Sequence, residues 1–379
     1  MRFLTAGESH GKALVGIIEG LPAGLHISVD EINRDLRARQ GGYGRGARMQ
    51  VIEEDTVEIV SGVMRGKTIG SPVSLLVKNK DWQLRNEDQL AGITVPRPGH
   101  ADLGGAVKYG LQDIREVSER ASARETAIRT AIGSVAKQLL GEFGMTLLGW
   151  VLEIGGIRCG PVPLDLQDLR NAVDQSPLRC ADPSVEKPMM DAIDKAKAEG
   201  DTLGGVFAVL AHGVPCGLGS YVHWDRRLDG LLAQALLSIP SVKGMEFGEA
   251  FANSAKPGSS VHDEILYDGV FRRKTNRAGG VEGGVSTGEA ILVKAAVKPL
   301  PTLKKPLNSV DIYTKVPVVA HYQRSDVCVV PAASVVGEAV VAWVLACAFC
   351  ERFGRDELSR MKEGFQASLD RDPFTERLE

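Results

Sequence analysis

Charge of one sign is what this sequence lacks: 45 Lys+Arg stand against 48 Asp+Glu in 379 residues, a net charge of −3. That balance argues against general nucleic-acid binding, which calls for a basic domain, and against an acidic solvating tail. Cysteine is scarce as well. Cys159, Cys180, Cys216, Cys328, Cys347 and Cys350 make no disulfide framework, so a reducing cytoplasm is the expected setting. No HxxxH or HExxH is present and Cys/His spacing offers no zinc site, so no metal is expected. No apolar run is expected to reach the ~18 residues of a membrane span. The start, MRFLTAGESHGK, lacks the ordered regions of a signal peptide. Aromatics make up only 5%, whereas glycine numbers 43, about 11% against a usual ~7%. That pairing suggests many places where the backbone turns sharply or approaches something closely.

The chain is long enough to bury a full core, and no linker divides it, so one large domain spanning residues 1–379 is expected. Val- and Ile-rich runs predict strands around Ala13–Glu19, Val57–Val60, Val73–Lys78, Val206–Ala211 and Ala290–Val297. Ser28 with Glu31 forms a capping box opening a helix over Val29–Arg39. A helix over Ser118–Phe143 follows from an apolar stripe at 128, 131, 132, 135 and 139, ending at Gly144. Arg227–Ile239 and Ser334–Phe353 also read as helices, the latter closed by Gly354. Strands and helices mix without strict alternation, which favours α+β over a doubly wound sheet. The polar stretch Pro161–Asp201 reads as an insertion or surface excursion. Gln40–Arg48 and Arg272–Gly288 read as long Gly-rich loops, of a kind that is usually functional or disordered.

The strongest chemical signal is RDLRARQGGYGRGAR, Arg34–Arg48, with Arg34, Arg37, Arg39, Arg45 and Arg48 opposed only by Asp35. Guanidinium forks match phosphate and carboxylate oxygens, and glycines between them let backbone N–H groups approach an anion. An exposed charged loop and an RGG-like single-strand binder are the competing readings, although one Tyr gives the latter little to stack on. Arg124 falls on the apolar stripe of its helix, and a buried charge needs a partner. Arg120 and Ser122 crowd beside it. GESHG, Gly7–Gly11, matches the nucleophile-elbow pattern and supports, as an alternative, a serine hydrolase using Ser9. Of seven histidines, His10 and His100 sit in Gly-flanked loops and suit proton donation to a leaving phosphate or a cofactor nitrogen. Cys347 and Cys350 lie on an apolar helix stripe and read as core. Arg324 and Asp326 in QRSDV are by themselves a weak signal.

Several segments in order resemble the chorismate synthase family: TAGESHGKALVGIIEGLPAG, YGRGARM, RPGHAD at Arg97–Asp102, ERASARETA at Glu119–Ala127, and RSDV at Arg324–Val327. The resemblance runs from Thr5 to about Phe349. It implies a lyase that converts 5-enolpyruvylshikimate 3-phosphate to chorismate and phosphate by anti-1,4-elimination, requiring reduced FMN with no net redox change. It implies an α+β sandwich, antiparallel sheets around helices, assembled as a cytoplasmic homotetramer. A separate flavin reductase would supply the reduced flavin. Residue by residue, it implies that Arg39, Arg45, Arg48 and Arg124 hold the substrate anions. His10 would protonate the departing phosphate, His100 would act at flavin N1 and Asp326 at flavin N5, with Ser9 and Ser122 as relay hydroxyls. Flavin contacts would come from Arg120, Ala121, Ser122, Pro240, Ser241, Gly283, Lys298, Pro299, Leu300, Pro301, Thr302 and Arg324. Whether Arg39 and Arg45 also meet NADP stays open. Where many members have RHDP this chain has RSDV, so no role rests on the missing His.

Overall fold

A computed structural model describes residues 1–46, 53–84, 92–161, 165–320 and 325–370. Its frame is two antiparallel sheets. The first runs in the order Arg2–Ala6, Ala13–Glu19, Val73–Lys78, Val57–Ser61. Its side chains alternate: Val73, Leu75 and Val77 point inward and are fully buried, while their neighbours are half-exposed or exposed. A sheet with one wet face gives that period of two. The second sheet runs Val242–Phe247, Ile291–Val297, Gly205–His212, Thr146–Ile154, Ile157–Arg158. Its middle strands are buried on both faces, so they read as continuous apolar runs.

Two helices fill the space between the sheets. Thr126–Gly141 lies on the first sheet, Val330–Phe353 lies on the second, and the two pack on each other. Each interface closes on a glycine. A Cβ on Gly16 would come 2.8 Å from Ile128, one on Gly133 would come 2.4 Å from Ala339 Cβ, and one on Gly337 would come 2.3 Å from the Phe207 ring. Close approach between layers therefore accounts for part of the glycine excess. One core extends through all these layers.

Val330–Phe353 corrects one expectation. It is long and apolar enough to cross a membrane, yet 89% of its most apolar window is buried inside the protein. A helix hydrophobic all round suits such a central position. Its one buried acidic residue, Glu338, sits beside Lys137 and 3.6 Å from Arg179, and accepts the Gly149 N–H at 2.9 Å. Burial pushes the Glu338 carboxyl up, but the two cations outweigh it and hold it low. Cys347 and Cys350 are core thiols that burial pushes up to about 11 and about 12.

The helix predicted over Ser118–Phe143 is in fact broken. Ile114–Ala121 ends at Ser122, a short 3₁₀ turn covers Ala123–Glu125, and Thr126–Gly141 follows. Ser122 is extended and its hydroxyl accepts the Arg124 N–H at 3.2 Å, so a serine cap opens the 3₁₀ turn that leads into the second helix, against the periodicity. The polar stretch after Pro161 is a covering layer. Leu169 and Val173 of helix Leu166–Gln175 pack with Leu148, Trp150, Ala208 and Leu210 on the outer face of the second sheet. Strands Arg2–Ala6, Thr146–Ile154 and Val242–Phe247 had no clear sequence signal.

Candidate active site

The broken helix opens a cavity of about 650 Å³. Its walls are the 121–126 break, the start of Val330–Phe353, and loops around residues 9–10, 97–101, 239–241, 298–302 and 325–326.

One wall is cationic. Arg39 ends the helix Val29–Gln40 and is buried. Its Nε donates to Thr126 Oγ1 at 2.9 Å, its Nη2 to Ala123 O at 3.0 Å and its Nη1 to Asp55 Oδ2 at 3.4 Å. Arg124 donates through Nη1 to Asp55 Oδ2 at 2.7 Å and through Nε to Asn79 Oδ1 at 2.9 Å. Its Nη2 lies 3.6 Å from Glu53 Oε2, is buried, and has no hydrogen-bond partner among the described residues. Arg45 donates to Asp326 Oδ2 at 2.5 Å, and the Gly46 N–H donates to Asp326 Oδ1 at 2.6 Å. Burial pulls Arg39 down to about 9; Asp55 opposes that, and Arg124 and Arg45 add to it. The Arg39 guanidinium is still charged at neutral pH. Carboxylates behind the three guanidiniums set their positions, and the net effect is a fixed concentration of positive charge facing a cavity, which draws anions.

The second wall carries His10. The His10 ring donates through Nδ1 to Glu119 Oε1 at 2.6 Å, and its backbone N–H donates to Glu119 Oε2 at 2.7 Å. Its Nε2 lies 3.6 Å from Asp81 Oδ2. Ser9 is buried beside it, 3.2 Å from the Ser122 hydroxyl that donates to it. The third wall carries His100 on the RPGHAD turn. Asp102 is fully buried and accepts from His100 Nδ1 at 2.5 Å and from Arg97 N, Nε and Nη2 at 3.0, 2.8 and 3.0 Å. Burial pushes the Asp102 carboxyl up, but hydrogen bonds from His100 and Arg97 prevail and hold it well below the usual carboxylate range. Lys298 ties the same turn down through Gly99 O at 2.7 Å. Burial, then Lys243, lowers the Lys298 ammonium. Ile239, Pro240, Leu300, Pro301, Val329 and Val336 make the remaining surface apolar.

Of the residues singled out from sequence, Ser9, His10, Arg39, Arg45, His100, Ala121, Ser122 and Arg124 line this one cavity, with Pro240, Ser241, Lys298, Leu300, Pro301, Thr302 and Asp326. Pro299 lies between wall residues without lining it. Arg120 points away, donating to Thr5 O at 3.0 Å and Thr5 Oγ1 at 2.9 Å. Gly283 sits in the turn between Val281–Glu282 and Val285–Ser286, off the wall. Arg48 and Arg324 lie outside the described residues. The roles of Glu53, Asp55, Asn79, Asp81, Asp102 and Glu119 went unread in the sequence. The acidic run Glu53–Asp55 after the Arg-rich loop was the available signal, since buried arginines need buried carboxylates. GESHG joins the antiparallel strands Arg2–Ala6 and Ala13–Glu19, a hairpin setting unlike the strand-to-helix elbow a serine hydrolase needs.

Comparison with known proteins agrees with this picture. The family model described as chorismate synthase matches residues 1–350. A chorismate synthase of Bacillus pumilus (strain SAFR-032) is 52% identical over 382 residues, covering 97% of this chain and 98% of the relative. One of Geobacillus thermodenitrificans (strain NG80-2) is 53% identical over 380 residues, with the same coverage. A solved structure titled "Crystal Structure of Chorismate Synthase" superposes with a TM-score of 0.81 at 41% identity, covering 97% of each chain. The chain belongs to the chorismate synthase family.

Proposed function

We infer that this member of the chorismate synthase family is a lyase that removes phosphate from 5-enolpyruvylshikimate 3-phosphate by anti-1,4-elimination, giving chorismate. The observation that carries the reading is the convergence of Arg39, Arg45 and Arg124 on one cavity with His10, the Arg124 Nη2 having no hydrogen-bond partner among the described residues. The substrate bears one phosphate and two carboxylates, and such a cluster is matched by an oxyanion. Nothing in the GESHG turn favours the serine hydrolase.

His10 presents Nε2 to the cavity and protonates the phosphate as it leaves. Arg39, Arg45 and Arg124 hold the anions and stabilise the charge that grows on the leaving group. Asp326 is gripped by Arg45 and the Gly46 N–H, so its carboxylate is fixed in direction and accepts a proton at the wall. Ser9 and Ser122 link the His10 loop to the helix break as relay hydroxyls.

The residues present fit reduced FMN as the cofactor. An apolar slot beside the partly buried ammonium of Lys298 suits a flat, largely apolar ring with a phosphate tail. Ala121, Ser122, Pro240, Ser241 and Lys298 to Thr302 would hold it, with Arg120, Gly283 and Arg324 as further contacts and Arg48 as a further substrate contact. Reduced FMN, when bound, supplies an electron-rich ring that assists loss of phosphate with no net redox change. His100, anchored by Asp102, would hold a proton at the flavin edge. The whole chain would act as one catalytic unit, as a cytoplasmic homotetramer given reduced flavin by a separate reductase. Exposed Leu4, Ile17 and Val60 on the first sheet support association. Arg39 and Arg45 are the candidates for any NADP contact.

The test is anaerobic: protein, 5-enolpyruvylshikimate 3-phosphate and dithionite-reduced FMN, with phosphate and chorismate followed together. Equal release of both, absent with oxidised FMN, is expected. No turnover by folded protein would overturn the reading.

A further inference from the structure

Glu119 lies near the end of helix Ile114–Ala121, 109 positions from His10 in sequence, yet its carboxylate takes two hydrogen bonds from that residue. Oε2 accepts the backbone N–H at 2.7 Å and Oε1 accepts from ring Nδ1 at 2.6 Å. The Glu119 backbone carbonyl also accepts the Ser9 N–H at 2.9 Å. Residues 9 and 10 are therefore pinned to the helix that forms the cavity floor. An ionised carboxylate is acceptor-only, so the ring nitrogen facing it must carry a proton. That assigns the Nδ1–H form to a neutral His10 and leaves Nε2 as the nitrogen that exchanges protons with the cavity, on the side facing Asp81.

We propose that Glu119 is a positioning residue that sets the tautomer and direction of His10. The proposal rests on the reading of His10 as the proton donor to phosphate. A purely structural anchor would need only the backbone bonds, whereas the second oxygen on Nδ1 acts on the ring. Gln at position 119 separates the two. Its single oxygen can keep the bond from the His10 N–H, and its amide NH₂ then faces Nδ1 as a donor. Nδ1 must offer a lone pair, and the proton moves to Nε2. In the serine-protease triad the equivalent acid-to-amide change lowers kcat about 10⁴-fold through the wrong tautomer.

The test uses full-length protein with ¹⁵N-labelled histidine. Long-range ¹H–¹⁵N spectra at alkaline pH, where imidazoles are neutral, distinguish Nδ1–H from Nε2–H. The His10 signals are identified by their loss in His10→Ala. Nδ1–H is expected in the unaltered protein and in Glu119→Asp, and Nε2–H in Glu119→Gln. Glu119→Gln should also lower kcat by roughly 10²–10⁴-fold, with little change in KM. An Nδ1–H His10 in folded Glu119→Gln, or an inverted tautomer with undiminished kcat, would overturn the proposal. The spectra report on Glu119 without turnover, whereas full kcat in His10→Ala would refute the reading of His10 itself.

Discussion

His10 and His100 face the same cavity, and each gives Nδ1 to a carboxylate, but the two carboxylates serve different ends. Asp102 is fully buried and divides itself between His100 and three donors of Arg97. Its job is to hold the RPGHAD turn together, and His100 is one of the things it holds. Glu119 is only partly buried and directs both oxygens at His10, one to the backbone and one to the ring. The same contact, histidine Nδ1 to carboxylate, is thus a brace in one wall and an aiming device in the other. Burial and the number of His10 or His100 groups each carboxylate holds tell them apart.

Three experiments would break or sharpen that contrast. His10→Ala should lower kcat roughly 10²–10⁴-fold, as loss of a general acid does. A loss under about tenfold would reduce His10 to a binding group and remove the distinction. Asp102→Ala should act on stability instead. It leaves Arg97 and His100 facing a buried vacancy, and breaking such a pair costs about 3–5 kcal/mol, read as a fall in Tm.

The pH dependence of Asp102 has a definite sign. Its folded carboxyl titrates below the ordinary value, so it stabilises fully above the unfolded pKa and loses that contribution as pH falls toward the folded one. The stability gap between the protein and Asp102→Asn should stay constant above about pH 5 and shrink below about pH 4. A gap that shrinks near neutrality instead would mean the brace is not this carboxylate. The smallest effect is expected at Arg45→Ala. Loss of one charge-assisted contact, about 1.5–3 kcal/mol, raises KM about 10- to 150-fold. An unchanged KM would take Arg45 out of the binding wall.

Much of this site was legible in the sequence because arginine, glycine and histidine in unusual local patterns carry their chemistry on their face. Arg39, Arg45 and Arg124, more than 70 residues apart at the extremes, converge on one cavity. The supporting carboxylates were not legible. Asp55, Asp102 and Glu119 look like ordinary acidic residues, and only the fold brings them behind a buried guanidinium or an imidazole ring. The α+β class and the strands Ala13–Glu19 and Val73–Lys78 followed from their patterns, whereas the sandwich arrangement came only from the family resemblance. The break at Ser122 did not, because the apolar stripe runs on through it and only a side-chain cap reveals the interruption. That break matters most, since it turns Arg124 and Ser122 into the cavity. The central helix was legible over Ser334–Phe353, but its membrane-span length and apolarity were not, for a related reason: Glu338 interrupts its apolar run in sequence, while Lys137 and Arg179 neutralise it in space.

The most direct measurement is a crystal structure with 5-enolpyruvylshikimate 3-phosphate and oxidised FMN, in which turnover is not expected. The substrate phosphate is expected within hydrogen-bonding distance of His10 Nε2, with Arg39, Arg45 and Arg124 on the substrate anions. A phosphate bound away from His10, or a substrate outside this cavity, would contradict the proposed roles.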